Sequence, residues 1–126
     1  MATRRRPATA DDLLTKPLRK LDFEITIPGE KGDQTLSLSL QASGSKAYDD
    51  LLAAHPPTKE QKIEGDTYNV NTFGPAIIAA VVNEPKLTLE QATAIWDSET
   101  WSGGEKRDLF MGCVNLCQRG LDVPFI

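Results

Sequence analysis

Residues 21–27 alternate strictly, with Leu21, Phe23, Ile25 and Ile27 separated by Asp22, Glu24 and Thr26. A period of two in β-branched and aromatic residues places every apolar side chain on one face of a strand. The polar turn Pro28-Gly29-Glu30-Lys31-Gly32-Asp33 follows, and then Leu36, Leu38 and Leu40 alternate with Ser37, Ser39 and Gln41. Two alternating runs around a short glycine-containing loop predict a β-hairpin over about 21–42. A hairpin alone is marginal in water, so its apolar face must pack on what comes next in the chain.

What comes next reads as helices. Ser43-Gly44-Ser45 closes the sheet section, and Lys46 to Ala54 carries Tyr48, Leu51 and Leu52 at helical spacing. His55-Pro56-Pro57 stops that helix, because proline disfavours helical geometry in the residue before it. Three segments match the capping box, in which a Ser or Thr and a Glu or Gln three residues later satisfy each other's orphan N–H groups. They are Thr58-Lys59-Glu60-Gln61, Thr88-Leu89-Glu90-Gln91 and Ser102-Gly103-Gly104-Glu105. The first opens a short polar helix ended by Gly65, the second a helix to about Asp97, and the third a helix to about Gln118. In the last helix Leu109, Cys113 and Leu116 form one line and Phe110, Val114 and Cys117 the adjacent one, giving a broad apolar face before the stop at Arg119-Gly120.

Between these, Asp66–Thr72 reads as a loop of turn formers, and Phe73–Val82 is apolar all round, which implies burial on every side. Pro75 suits the first turn of a helix, where its missing N–H is no loss. Ile77, Ile78, Val81 and Val82 are also compatible with a buried strand, but Pro75 and the alanines favour helix. Strands segregated from helices define an α+β class: a hairpin packed on four to five short helices, about 45–119, with a short apolar tail at 120–126. The 126-residue length fits one domain over 20–126 behind an N-terminal arm.

The arm, residues 1–19, differs in charge from the body. Residues 1–20 hold six basic and two acidic residues, a charge of +4, whereas the rest hold eight basic and sixteen acidic, a charge of −8. The arm has no large apolar residue between Met1 and Leu13, so disorder is its expected state. No apolar stretch follows the arginines, as a secretory signal would require, and none reaches the roughly 20 residues that span a bilayer. These features predict a cytoplasmic chain without membrane contact. Arg4, Arg5 and Arg6 could touch phosphates, but the acidic body opposes nucleic acid and no aromatic residues interleave with them.

Reactive residues are few. Cys113 and Cys117 lie four apart on one helix face, and the only histidine is His55, so a metal site lacks ligands and buried, reduced thiols are expected. His55 paired with a cysteine would form a nucleophile–base couple, but no helix N-terminus or cluster of cations activates either thiol. The acidic clusters Asp49-Asp50, Glu64-Gly65-Asp66 and Asp97-Ser98-Glu99 do not have calcium-loop spacing, and Gly103-Gly104 lacks the Lys-Ser/Thr of a phosphate loop. No catalytic residue, cofactor or metal is therefore expected. Trp96 and Trp101 flank a short interhelical connection, where they either pack the core or mark a partner surface. With Phe110 and the apolar Leu121 and Phe125 of the tail, they make up the candidate partner-binding set.

Several segments together resemble the small tail assembly chaperones of long-tailed phages and prophages of actinobacteria. They are Tyr48-Asp-Asp-Leu-Leu-Ala-Ala-His-Pro-Pro-Thr58, Tyr68-Asn-Val-Asn-Thr-Phe73 leading into Pro75-Ala-Ile-Ile-Ala-Ala80, Glu84-Pro-Lys-Leu-Thr88 and Trp101-Ser-Gly-Gly-Glu105. The resemblance spans about residues 20–118 and implies a non-enzymatic assembly factor of the host bacterial cytoplasm. Such a factor coats the tape-measure protein and keeps it soluble until tail tube proteins polymerise around it. It also implies a short form ending at Ile126 beside a longer frameshifted form. The basic arm departs from the family's pattern. Self-association stays open, as does an alternative role as a structural virion component of the tail or neck, such as a tail terminator or connector.

Overall fold

A computed structural model of the protein describes residues 6–120. The two alternating runs form the expected hairpin, β1 (Lys20–Ile27) and β2 (Gln34–Gln41). They are antiparallel, with Leu21 opposite Leu40, Phe23 opposite Leu38 and Ile25 opposite Leu36. The turn closes on a bond from the Gly32 N–H to the Gly29 carbonyl at 3.2 Å, and Gly32 takes φ +115°, a left-handed value that glycine adopts without a Cβ clash. A third strand, β3 (Val82–Glu84), pairs antiparallel with the other side of β2 across a bulge at Ser39/Leu40. The order β1-β2-β3 makes β1 an edge strand and places Leu40 at the centre, fully buried.

The helices begin where the caps direct them. All three expected boxes are closed: Thr58 with Gln61 ahead of α3 (Lys59–Ile63), Thr88 with Gln91 ahead of α5 (Leu89–Trp96), and Ser102 with Glu105 ahead of α6 (Gly103–Gln118). In each, the Ser or Thr hydroxyl accepts the backbone N–H three residues on, and the Gln or Glu side chain accepts the cap residue's own N–H at 2.8–2.9 Å. A fourth box, Thr9 with Asp12, corrects the expectation of a wholly disordered arm, since residues 10–14 form a short helix, α1 (Ala10–Leu14). The Arg6 guanidinium bonds both Asp12 oxygens at 2.6 and 2.8 Å, and this with the Thr9 contacts holds the Asp12 carboxyl well below the usual carboxylate range.

The apolar run around Pro75 forms a helix, α4 (Val70–Val81), that begins five residues earlier than Pro75 suggests. Asn69, read as a turn former, is the cap: its side-chain oxygen accepts the Asn71 N–H at 3.1 Å. Pro75 therefore stands inside the helix, and the carbonyl of the exposed Asn71 lacks the bond a non-proline would give it. Phe73 to Ile78 and Val81 are buried as expected, but Ala79 is half-buried and Ala80 exposed, so the helix is not covered on every side. Val82, by contrast, leaves the helix to enter β3.

Helix α4 is the centre of the body, packing on α5, α6, β3 and α2 (Ser45–Ala53). Phe73 joins these layers. Its ring lies 6.1 Å from Tyr48, 5.0 Å from Tyr68, 6.2 Å from His55 and 6.0 Å from Phe110, the last at a near-perpendicular 89°. Edge-to-face packing of this kind adds a favourable quadrupole term to simple burial. The hairpin is covered only at its base. Phe23 packs against Gly112 of α6, where an added Cβ would lie 3.0 Å from the ring, whereas Ile25 and Ile27 are half-buried and Leu36 is 42% exposed.

Candidate interaction surface

Helix α6 separates two open grooves. The first lies between the outer half of β1 and the start of α6, with a volume of about 340 Å³. Its floor is apolar, formed by Phe23, Ile25, Ile27 and Trp101, and the α6 side of its rim is acidic, formed by Glu105 and Asp108. Among the described residues no lysine or arginine lines it. Geometry explains the composition. The spacing of Glu105 and Asp108 by three places both on one side of α6, and the α5–α6 connection carries Trp101 to the same side.

The second groove, about 490 Å³, opens on the other side of α6 among Val70, Trp96, Gly103, Phe110 and Met111, with Lys106 and Arg107 at its rim. Trp96 reaches it from the end of α5, and its indole packs on Phe110 at 5.8 Å. The indole also sits where a side chain on Gly74 would stand: a Cβ there would be 2.5 Å from the ring. One helix thus presents carboxylates to one groove and cations to the other.

The two tryptophans therefore do not share one surface, since Trp101 lines the acidic groove and Trp96 the basic one. Both are half-buried against the core. Phe110 corrects the expectation, being only 4% exposed and part of the central aromatic cluster, so it supports the basic groove from below and offers no free face. Leu121 and Phe125, like the rest of the tail after Gly120, lie outside the described residues. Sequence reasoning missed Met111, 39% exposed on the groove wall, and the contribution of β1. The alternation of β1 marked its buried face, but not where the helices would stop covering it.

The thiols have structural surroundings. Cys113 is fully buried, and burial first, then the neighbouring Cys117, pushes its thiol up to about 12, the reverse of what a nucleophile needs. Cys117 Sγ lies 3.4 Å from Ser43 Oγ. His55 stacks near Phe73 and gives its carbonyl to the Asn69 N–H at 2.9 Å. Among the described residues no group of His, Cys, Asp or Glu could hold a metal ion, and no helix is long and apolar enough to cross a membrane.

An alkaline loss of stability is expected from Cys113. Its folded pKa lies above the unfolded value of about 9, so the stabilisation is complete below pH 9 and is lost as pH rises toward 12. Urea unfolding at pH 8.5 and 10.5 should differ by roughly 1–2 kcal/mol at about 1.4 kcal/mol per pH unit, and Cys113→Ala should flatten the difference. Equal pH dependence in both proteins would refute the assignment.

The fold is a small α+β domain with two open grooves beside α6. No protein-family model, curated protein or solved structure matches the chain.

Proposed function

We propose that this protein is a phage tail assembly chaperone that binds the tape-measure protein and keeps it soluble while the tail tube forms. The reading rests on the sequence resemblance over about residues 20–118. The observation that carries it is the basic groove, an open apolar trough of Val70, Trp96 and Met111 beside Lys106 and Arg107. An amphipathic helix laid there would bury its apolar face on Trp96 and Met111 and set acidic side chains against the two cations. A groove open along its length suits a partner that must later be released to tube subunits.

Co-expression tests it. The tape-measure protein encoded beside this chain should move from the pellet to the soluble fraction when the two are made together. Substituting Trp96→Ala and Met111→Glu should return most of it to the pellet. A tape-measure protein that precipitates equally with and without this chain contradicts the proposal.

A further inference from the structure

We propose that the basic arm of one copy of this protein docks in the acidic β1–α6 groove of a second copy. This goes beyond the tape-measure reading and uses the other groove, so either can fail alone.

Both halves of the interface are incomplete on the single chain. In the arm, Leu13 is 72% exposed, Leu14 83% and Leu18 46%, and no residue of α1 is buried. Three large aliphatic side chains in one short segment are thus left in water although α1 is capped and ordered by Arg6 and Asp12. In the groove, Trp101, Ile25 and Ile27 form an apolar floor that the rest of the body does not cover.

Charge selects the occupant. The α6 rim holds Glu105 and Asp108 and, among the described residues, no cation, and the body carries −8, so an acidic segment is repelled. The arm is the basic part of the chain, with Lys16 between Leu14 and Leu18 and Arg4 and Arg5 ahead of them in the sequence. Complementary potentials of this kind fix the choice of partner and speed encounter. Asp22 and Glu24 on the outer face of the edge strand β1 also discourage two β1 edges from pairing.

The geometry favours a second copy over the chain's own arm. The root of the arm is tied to the far end of β1: the Arg19 carbonyl accepts the Ala42 N–H at 2.8 Å, and the Arg19 side chain donates to the Gly120 carbonyl at 3.2 Å. The groove lies toward the Ile27 end of the eight-residue strand, roughly 20 Å away at about 3.3 Å per residue. On the single chain none of the described arm residues 6–19 lines the groove and none of α1 is buried, which leaves the site to the arm of a neighbour. Each copy then gives one arm and accepts one, a head-to-tail contact that builds a ring or a filament.

Light scattering coupled to size exclusion tests this on the full chain. The expected result is an oligomer at low salt that dissociates at high salt, since exposed charge pairs are screened. Reversing the groove with Asp108→Lys should weaken association at least tenfold. Reversing the arm with Arg5→Glu and Lys16→Glu should do the same, with thermal unfolding of both variants unchanged. Mixed together, the two variants again present opposite charges at both contacts and should recover the oligomer. A monomer at concentrations up to about 100 μM overturns the proposal. So does an oligomer indifferent to both reversals, or a mixture that stays monomeric.

Discussion

Replacing Phe73 with alanine should cost about 3–5 kcal/mol, the largest effect expected of any single substitution considered. The side chain is fully buried, and its ring meets Tyr48, His55, Tyr68 and Phe110, which come from α2, the segment after it, the loop before α4, and α6. Four segments therefore lose a shared neighbour at once, and the cavity cannot close by moving only one of them. Against a typical domain stability of 5–15 kcal/mol, such a loss leaves much of the protein unfolded at modest urea concentrations. Urea unfolding followed by tryptophan fluorescence measures it. A loss under 1 kcal/mol would mean that the aromatic cluster does not organise the core.

The second large effect is expected at Gly74. In an exposed helix alanine would stabilise by about 1 kcal/mol over glycine, but here the sign reverses. The new Cβ would lie 2.5, 2.6 and 2.8 Å from three atoms of the Trp96 ring, closer than atoms can approach. Any movement of the ring would also disturb its edge-to-face contact with Phe110. Gly74→Ala should therefore destabilise by about 1–3 kcal/mol, the range for overpacking. The clash also predicts coupling: in the Gly74→Ala background Trp96→Leu should cost at least about 1 kcal/mol less than in the wild type. Additive effects would show that the indole is not held against the helix.

These two neighbours show how far the sequence could be read. The alternation of Leu21–Ile27 and Leu36–Leu40 defined the hairpin and its apolar face, because a period of two leaves one solution for that face, whereas the pairing register was not legible. Three capping boxes placed three helix starts, since each box satisfies its donors locally. Long-range facts were not legible. Val81 and Val82 are both buried, so the change from helix to strand between them leaves no trace in hydrophobicity. Asn69 serves equally as turn former or helix cap, and only the tertiary packing of Phe73 decides which. The box at Thr9 was obscured because its third position is Asp12 within a basic segment.

The candidate surface was partly visible for the same reason. Trp96 and Trp101 stood out by residue type, and both line grooves. Phe110 has the same chemistry but lies on the inward side of α6, where only the packing of α4 against it decides exposure. That Trp101 faces β1, nearly eighty positions earlier in the chain, no local pattern could reveal.

The central claim is that this domain acts by holding a partner polypeptide in the groove beside α6. Hydrogen exchange on the complex with the tape-measure protein measures it most directly. The account predicts slowed exchange in residues 96–111 on binding, with residues 45–63 unchanged. Protection confined to α2 and α3, or none anywhere at saturating partner, would contradict it.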